Sequence, residues 1–429
     1  MADNAKWYVA HTYSGYENTV AASIEKAVEN RGLRDLNGKG VVAGLTEVSE
    51  IVSNQVVGGK TVPCEGQLFY RGYSIEDLVR CSLQEKRFGF EEAAYLLMFG
   101  QLPTRRELDD FMDQLASYRT LPKNFVRDVI LKAPSADMMN SLAKCVLSIA
   151  SYDDKTDDIS LPNVVRQCMQ LIATFPLYSV YSYQAYNYKE GNSLYIHAPS
   201  PELSTAENIL SLLRADSSYS FWEAHVLDIC LTLHAEHGGG NNSTFVCRAL
   251  SSSGTDTYSA IAGAVGSLKG PLHGGANAKV MEMFRYIKEN VDPHDDGSIK
   301  DYLNKLLDGQ AGDRSGKIYG LGHAVYTMSD PRAVLLKKYA QRMAELKGYA
   351  DDFALLQKVE ELGLPMVMER KHSDTPMCAN VDMYSGLVYA MLGIPEEVFT
   401  PLFASARIAG WCANRIEEVV TCHRIMRPA

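Results

Sequence analysis

The chain has 429 residues, 46% of them hydrophobic, enough for two domains or one large domain with a satellite. Its formal net charge of −10 argues against general nucleic-acid binding, which needs a basic excess to displace counterions from phosphates. A local cationic pocket for a small anion remains compatible with that charge.

Lys6 to Tyr13 is aromatic and β-branched and reads as a strand. Gly15 then opens a helix with Val20, Ile24, Ala27 and Val28 on one face, stopping near Gly32. Asn37-Gly38-Lys39-Gly40 is a turn, and strands are expected over Thr46–Val52 and Gln55–Val62. Beyond Tyr73 the chain reads as mostly α. Apolar spacing predicts helices near 75–99, 105–117, 137–151, 161–176, 203–213, 222–236 and 402–420. The tyrosine-rich stretch 177–196 has no assignable period. The last helix is expected to bury Ile408, Trp411, Cys412, Ile416 and Val419 on one side.

Nine cysteines run from Cys64 to Cys422 without a Cys-x-x-Cys pair, which reads as reduced thiols in a cytoplasmic setting. No apolar run is long enough to span a bilayer. Met1 to Lys6 lacks the apolar core of a signal peptide.

Three histidines sit against glycine: His237 in Glu236-His237-Gly238-Gly239-Gly240-Asn241, His273 in Pro271-Leu272-His273-Gly274-Gly275, and His323 after Gly322. Glycine lets the backbone take unusual angles and lets a ligand come close. His273 is placed as for a helix start, where an imidazole stays neutral and can donate to a developing oxyanion; capping that helix is the alternative. His237 stands three residues after His234. If the helix runs on that far, the two share a face, but there is no obvious third metal ligand. A donor to an anion or carbonyl fits His237 better. Asp382 lies between Val381 and Met383, where partial desolvation raises basicity; it suits a base for a weakly acidic C–H, and equally a helix N-cap. Arg332, Arg407 and Arg427 are candidates for carboxylate binding, against an ordinary solvated role for each.

Taken together, these segments resemble the citrate synthase family. The similarity runs from about residue 32 to 429. It rests on Leu36 to Val41, Glu236 to Asn241, Gly270 to Asn277, Gly322 to Tyr326, Asp330-Pro331-Arg332, Asn380 to Gly386 and Arg427-Pro428. The resemblance implies a large helical domain and a smaller helical one with the active site in the cleft between them. The expected division is 32–273 and 381–429 for the large domain and 274–380 for the small one. It also implies condensation of acetyl-CoA with oxaloacetate, then hydrolysis of the citryl thioester. On that basis Asp382 removes a methyl proton, His273 donates to the thioester oxygen and His323 polarises the oxaloacetate carbonyl. His237, Arg332 and Arg407 hold oxaloacetate, and Arg427 reaches the site from a partner in a homodimer or larger homo-oligomer. No metal or cofactor is implied, coenzyme A entering as a thioester substrate. A 2-methylcitrate synthase, using propionyl-CoA through the same residues, is the neighbouring reading. Residues 1–31 resemble instead the start of the NusG transcription factors, with only a first strand and helix present. A fused, non-functional fragment is expected there. Family members also continue past the point where this chain stops, after Arg427-Pro428. An inactive chimera is the distant alternative.

Overall fold

The computed structural model describes residues 46–271, 273–373, 375–421 and 425–426. The expected strand at Lys6–Tyr13, the helix after Gly15 and the turn at Asn37–Gly40 lie outside these residues. Strands β1 (Ser49–Val57) and β2 (Lys60–Tyr70) form an antiparallel hairpin, and β3 (Tyr73–Ser74) pairs with the end of β2. Val57 faces Lys60 across Gly58 and Gly59, whose φ angles of 59° and 79° are left-handed. Glycine takes such a two-residue turn without strain. The strand expected over Gln55–Val62 is therefore folded at its middle, and its halves pair with each other.

The rest of the described chain is helical: α1 (Ile75–Gln84), α2 (Phe90–Phe99), α3 (Arg105–Tyr118), a π-helical turn (Val126–Leu131), α4 (Met138–Ala150), α5 (Leu161–Lys189), α6 (Thr205–Leu213), α7 (Phe221–His234), α8 (Asn242–Ser251), α9 (Thr257–Leu268), α10 (Ala276–Asn290), α11 (Asp296–Leu307), α12 (Pro331–Lys347), α13 (Ala350–Arg370), α14 (Asp382–Met391) and α15 (Phe399–Thr421). Capping boxes built on Thr104/Glu107, Ser204/Glu207 and Ser220/Glu223 start α3, α6 and α7. Among the described residues no helix is long and apolar enough to cross a membrane.

Two elements differ from expectation for physical reasons. The segment 75–99 is two helices, because the first amides of α2 are taken from far away. The carboxylate of Asp228, on α7, accepts from Gly89 N–H at 2.7 Å and Phe90 N–H at 3.1 Å. Helix α5 continues through Pro176 to Lys189, taking in most of the unassigned tyrosine-rich stretch. Phe175, Leu177, Tyr178 and Val180 are all buried there, and a helix enclosed on every side shows no one-sided period.

Helix α15 runs through the core and packs against α2, α5, α7, α8 and α9. It too is buried all round, from Phe403 through Ile416, rather than on the single face expected. Gly410 is its closest approach to another segment. Its N–H donates to Ala235 O at 3.1 Å, just after α7. A Cβ at Gly410 would lie 2.2 Å from Glu236 Oε2 and 2.4 Å from Ala235 O. Elsewhere α13 packs on α11 and α12, and α14 packs on α10 and α12. The backbone partner at Gly410 cannot rotate away as a flexible side chain would. Gly410→Ala should therefore cost about 1–3 kcal/mol of stability. A lowered thermal midpoint checks this, and an unchanged one would show that the helix and loop separate freely.

Candidate active site

Helix α7 ends at His234, so His237 stands in a short non-helical stretch before α8 and does not share a helix face with His234. The His234 ring donates from Nδ1 to Cys230 O at 2.7 Å and meets Phe403 edge-on. The loop itself is held at several points. The Tyr70 hydroxyl donates to Thr232 O at 2.9 Å and accepts from Glu236 N–H at 3.2 Å. Ser49 Oγ donates to Glu236 Oε1 and accepts from Gly238 N–H, both at 3.1 Å. Asn414 Nδ2 donates to Glu236 Oε2 at 3.1 Å. Gly238 has φ +83°, the left-handed turn that sends the chain back past Ile51.

This loop aims His237 at the second histidine. The rings of His237 and His323 meet edge-on with centroids 5.2 Å apart, and Tyr326 stands against both, at 5.5 and 4.7 Å. His323 Nδ1 accepts from the N–H groups of Val325 and Tyr326, each at 3.0 Å. That fixes the neutral tautomer: the proton is on Nε2. Arg332 Nη2 lies 3.3 Å from Nε2. In this tautomer two donors face each other, a conflict that an acceptor oxygen bound beside them would relieve.

Arg332 opens α12 and is buried, 4% exposed. It is bidentate to Asp330, through Nε at 3.0 Å and Nη2 at 2.8 Å. Asp330 thereby neutralises it and caps α12 as well. Arg407, on α15, is wholly buried and differently placed. Its Nε donates to His234 O at 2.7 Å, while among the described residues Nη1 and Nη2 have no partner. Burial pulls it down to about 10, with Glu236 opposing, so it stays cationic at neutral pH. Unpartnered buried donors carry a desolvation cost that a bound anion removes.

Asp382 is the first residue of α14 and is half-buried. Asp382 does not cap this helix: Val381 holds the N-cap position, and Asn380 Oδ1 accepts from Asp382 N–H at 3.0 Å. The Asp382 carboxyl is left free to act. Burial raises it to about 6, against the opposing charge of Arg332. The segment before it is tied to the histidine loop. Gly322 N–H donates to Cys378 O at 2.8 Å, Asn380 N–H to Gly320 O at 2.9 Å, and Asn380 Nδ2 to Gly322 O at 2.9 Å.

His273 lies in a turn before α10, but the helix start that sets its tautomer belongs to α8. The Ser243 N–H, in the first turn of α8, donates to His273 Nε2 at 3.3 Å, and Ser243 Oγ is 3.0 Å from the same nitrogen. The His273 proton is therefore on Nδ1. Burial holds both His273 and His323 down at about 4; Arg407 adds to this for His273, and Arg332 for His323. His237 is also pushed well below its usual range by burial and by Arg332. The structure thus brings His237, His323 and Arg332 into one cluster, with Arg407 and Asp382 acting on it electrostatically. His273 is joined to α15 through Ser243. Arg427 lies outside the described residues. Ser243, Asp330, Glu236 and Asn380 were not singled out as acting residues from sequence. The Asn-Asn-Ser-Thr helix start at 241–244 was the available sign of Ser243.

Comparison with known proteins bears on this arrangement. The family profile described as "Citrate synthase, C-terminal domain" matches residues 35–429. A citrate synthase from Synechocystis sp. is 36% identical over 370 residues, covering 85% of this chain and 84% of its own length. A 2-methylcitrate synthase from Corynebacterium glutamicum is 33% identical, covering 86% of this chain and 90% of its own. Among solved structures, the citrate synthase of Thermoplasma acidophilum, in a ternary complex with carboxymethyl coenzyme A and oxaloacetate, superposes with a TM-score of 0.75. It is 25% identical and covers 93% of this chain and 94% of its own. The NusG-like stretch 1–31 lies outside both the family match and the described residues.

The histidine environment sets an acid limit on stability. His273 and His323 titrate near 4 in the fold against an ordinary 6.5, and His234 near 3. Between 6.5 and 4 the unfolded chain binds more protons at these sites, so stability falls as pH drops. Among the described residues three buried carboxyls, Asp228, Glu236 and Asp382, are raised and work in the opposite sense, against five histidines lowered: His225, His234, His237, His273 and His323. Thermal midpoints should decline from pH 6.5 to 4, less steeply in His323→Asn. A midpoint that stayed level in that window would contradict the buried neutral histidines.

Proposed function

The chain belongs to the citrate synthase family of acyltransferase-type condensing enzymes, and we propose that it joins the methyl carbon of acetyl-CoA to the ketone carbon of oxaloacetate, then hydrolyses the citryl thioester to citrate and CoA. The observation that carries this reading is the set of buried side-chain nitrogens without a partner among the described residues, Arg407 Nη1 and Nη2 and His237 Nε2. Oxaloacetate supplies the acceptors. Its carboxylates go to Arg407 and Arg332, and its ketone oxygen to His323 Nε2–H, with His237 beside it.

Asp382 takes a proton from the acetyl methyl, and the electron pair moves onto the thioester oxygen, where His273 Nδ1–H donates. The enolate carbon then attacks the ketone carbon, and charge gathers on the oxygen held by His323. Neutral imidazoles suit both donor roles, because each is preorganised and needs no proton change to act. A carboxyl near 6 is a stronger base than an ordinary one and still ionised at pH 7. These steps call for no metal or cofactor. Residues 274–380 act as the small domain that closes over both substrates, excluding water from the enolate. Arg427 completes the dicarboxylate site of a partner in a cytoplasmic homodimer or larger homo-oligomer. Residues 1–31 take no part. The same residues serve propionyl-CoA in the second reading, which the 2-methylcitrate synthase relative favours.

Thiol release with oxaloacetate tests the substrate: the specificity constant should be higher with acetyl-CoA than with propionyl-CoA, and the reverse order would make the chain a 2-methylcitrate synthase. Asp382→Asn should lower kcat by about 10²–10⁴-fold while oxaloacetate still binds. Near-normal turnover would remove Asp382 from its role. Because the base must be ionised, kcat/KM for acetyl-CoA should fall as pH drops through about 6, tenfold per unit. A profile flat down to pH 5 would place the base elsewhere.

A further inference from the structure

Trp411 is the largest fully buried side chain and lies one turn beyond Arg407 on α15. Residues four apart share a helix face. The Trp411 indole N–H donates to Ser243 Oγ at 3.2 Å. Ser243 is also fully buried, and its hydroxyl lies 3.0 Å from Asn241 Oδ1 and 3.0 Å from His273 Nε2. The Ser243 backbone N–H points at the same Nε2, at 3.3 Å.

The hydrogen-bond roles in this chain are constrained. An indole N–H can only donate, so Ser243 Oγ accepts from Trp411. The single hydroxyl hydrogen goes either to Asn241 Oδ1 or to His273 Nε2. Either way the backbone amide requires a lone pair on Nε2, which puts the imidazole proton on Nδ1. We propose that Trp411 and Ser243 are positioning residues for the condensation, fixing His273 as the Nδ1–H tautomer and setting its ring where that N–H meets the thioester oxygen. The proposal rests on the reading of His273 as the thioester donor.

The indole matters because of what its loss would allow. Without it, Ser243 Oγ has a vacant lone pair in a buried place. The group at hand to fill it is His273 Nε2 carrying a proton, which is the tautomer that cannot donate from Nδ1. Trp411 itself is held firmly. Phe175 meets its ring edge-on at 6.4 Å, and its carbonyl faces Cys247 Sγ, on α8, at 3.7 Å. One turn of α15 therefore serves both substrates: Arg407 directly at the oxaloacetate end, and Trp411 through Ser243 at the thioester end.

The test uses the full chain with Trp411→Phe, which keeps a ring and drops the N–H, and Ser243→Ala. Each should lower kcat about 10–100-fold, with KM for oxaloacetate little changed. The double variant should be no worse than the poorer single, since both break one chain. Histidine 15N chemical shifts, with the His273 signals assigned by their loss in His273→Gln, should show Nδ1–H in the unaltered chain and a gain of Nε2–H in Trp411→Phe, whereas Ser243→Ala, which keeps the amide and removes the acceptor, should keep Nδ1–H and lose rate through the ring's placement. Wild-type kcat with an unchanged tautomer in either variant would overturn the proposal, as would losses that multiply in the double variant. Ser243→Ala carries the test if Trp411→Phe does not fold. If the unaltered chain releases no thiol from either acyl-CoA, the activity reading fails. The tautomer measurement needs no turnover and then decides the positioning claim alone.

Discussion

A glycine at 410 lets the core helix α15 touch the backbone of the loop that carries Glu236 and His237, and most of the site is arranged around that contact. Three positions on α15 address this one segment. Arg407 Nε donates to His234 O, Gly410 N–H to Ala235 O, and Asn414 Nδ2 to Glu236 Oε2. From the other side the β1–β2 hairpin closes on the same loop through Ser49 and Tyr70. The loop is thus clamped between an apolar-cored helix and a hairpin. Residues that would be mobile in an ordinary connection become fixed enough to aim an imidazole.

The electrostatics follow from burying cations beside imidazoles. Arg332 has its own carboxylate in Asp330, with two hydrogen bonds, so its burial is compensated within the fold. Arg407 is not matched in that way: its one hydrogen bond goes to a carbonyl, and Glu236 spends its carboxylate on Ser49 and Asn414. The positive potential left over does two things at once. It favours an anion, and it adds to the burial that keeps His237 and His273 neutral; at His323 burial is joined by the charge of Arg332. The proposed reaction, which binds oxaloacetate and then stabilises oxyanions through neutral N–H groups, needs both. Burial and buried cationic charge together supply them.

The amphipathic helices were legible because their spacing is local. So were the glycine-flanked histidines, whose chemistry is written in adjacent residues. What escaped was set by partners distant in sequence. The break between α1 and α2 depends on Asp228, 139 positions away from Gly89. The burial of α5 on every side erased the period that would have revealed its second half. Asp382 read both as a base and as a cap, and the structure separates the two by giving the N-cap position to Val381. A helix start was expected on the C-terminal side of His273 to keep it neutral, whereas burial and Arg407 do that and the amide facing its ring comes from α8. Sequence shows which residues can do chemistry; the tautomers that make them act come from contacts such as Ser243 to His273.

Those contacts also sort the site's residues into two groups by the segments that hold them. His323 and Asp382 are tied together by the hydrogen bonds between 320–322 and 378–380, so displacement of one carries the other. His237 and His273 belong to the other group, hung from the ends of α7 and α8 and backed by α15. In the proposed reaction, enolate formation needs Asp382 on one side of the acetyl group and His273 on the other. The proposed base and oxyanion donor therefore hang from different segments, while the proposed base and carbonyl polariser are tied to each other. In such an arrangement the electrophile stays with the base, so an enolate formed there would have an oxaloacetate carbonyl to attack.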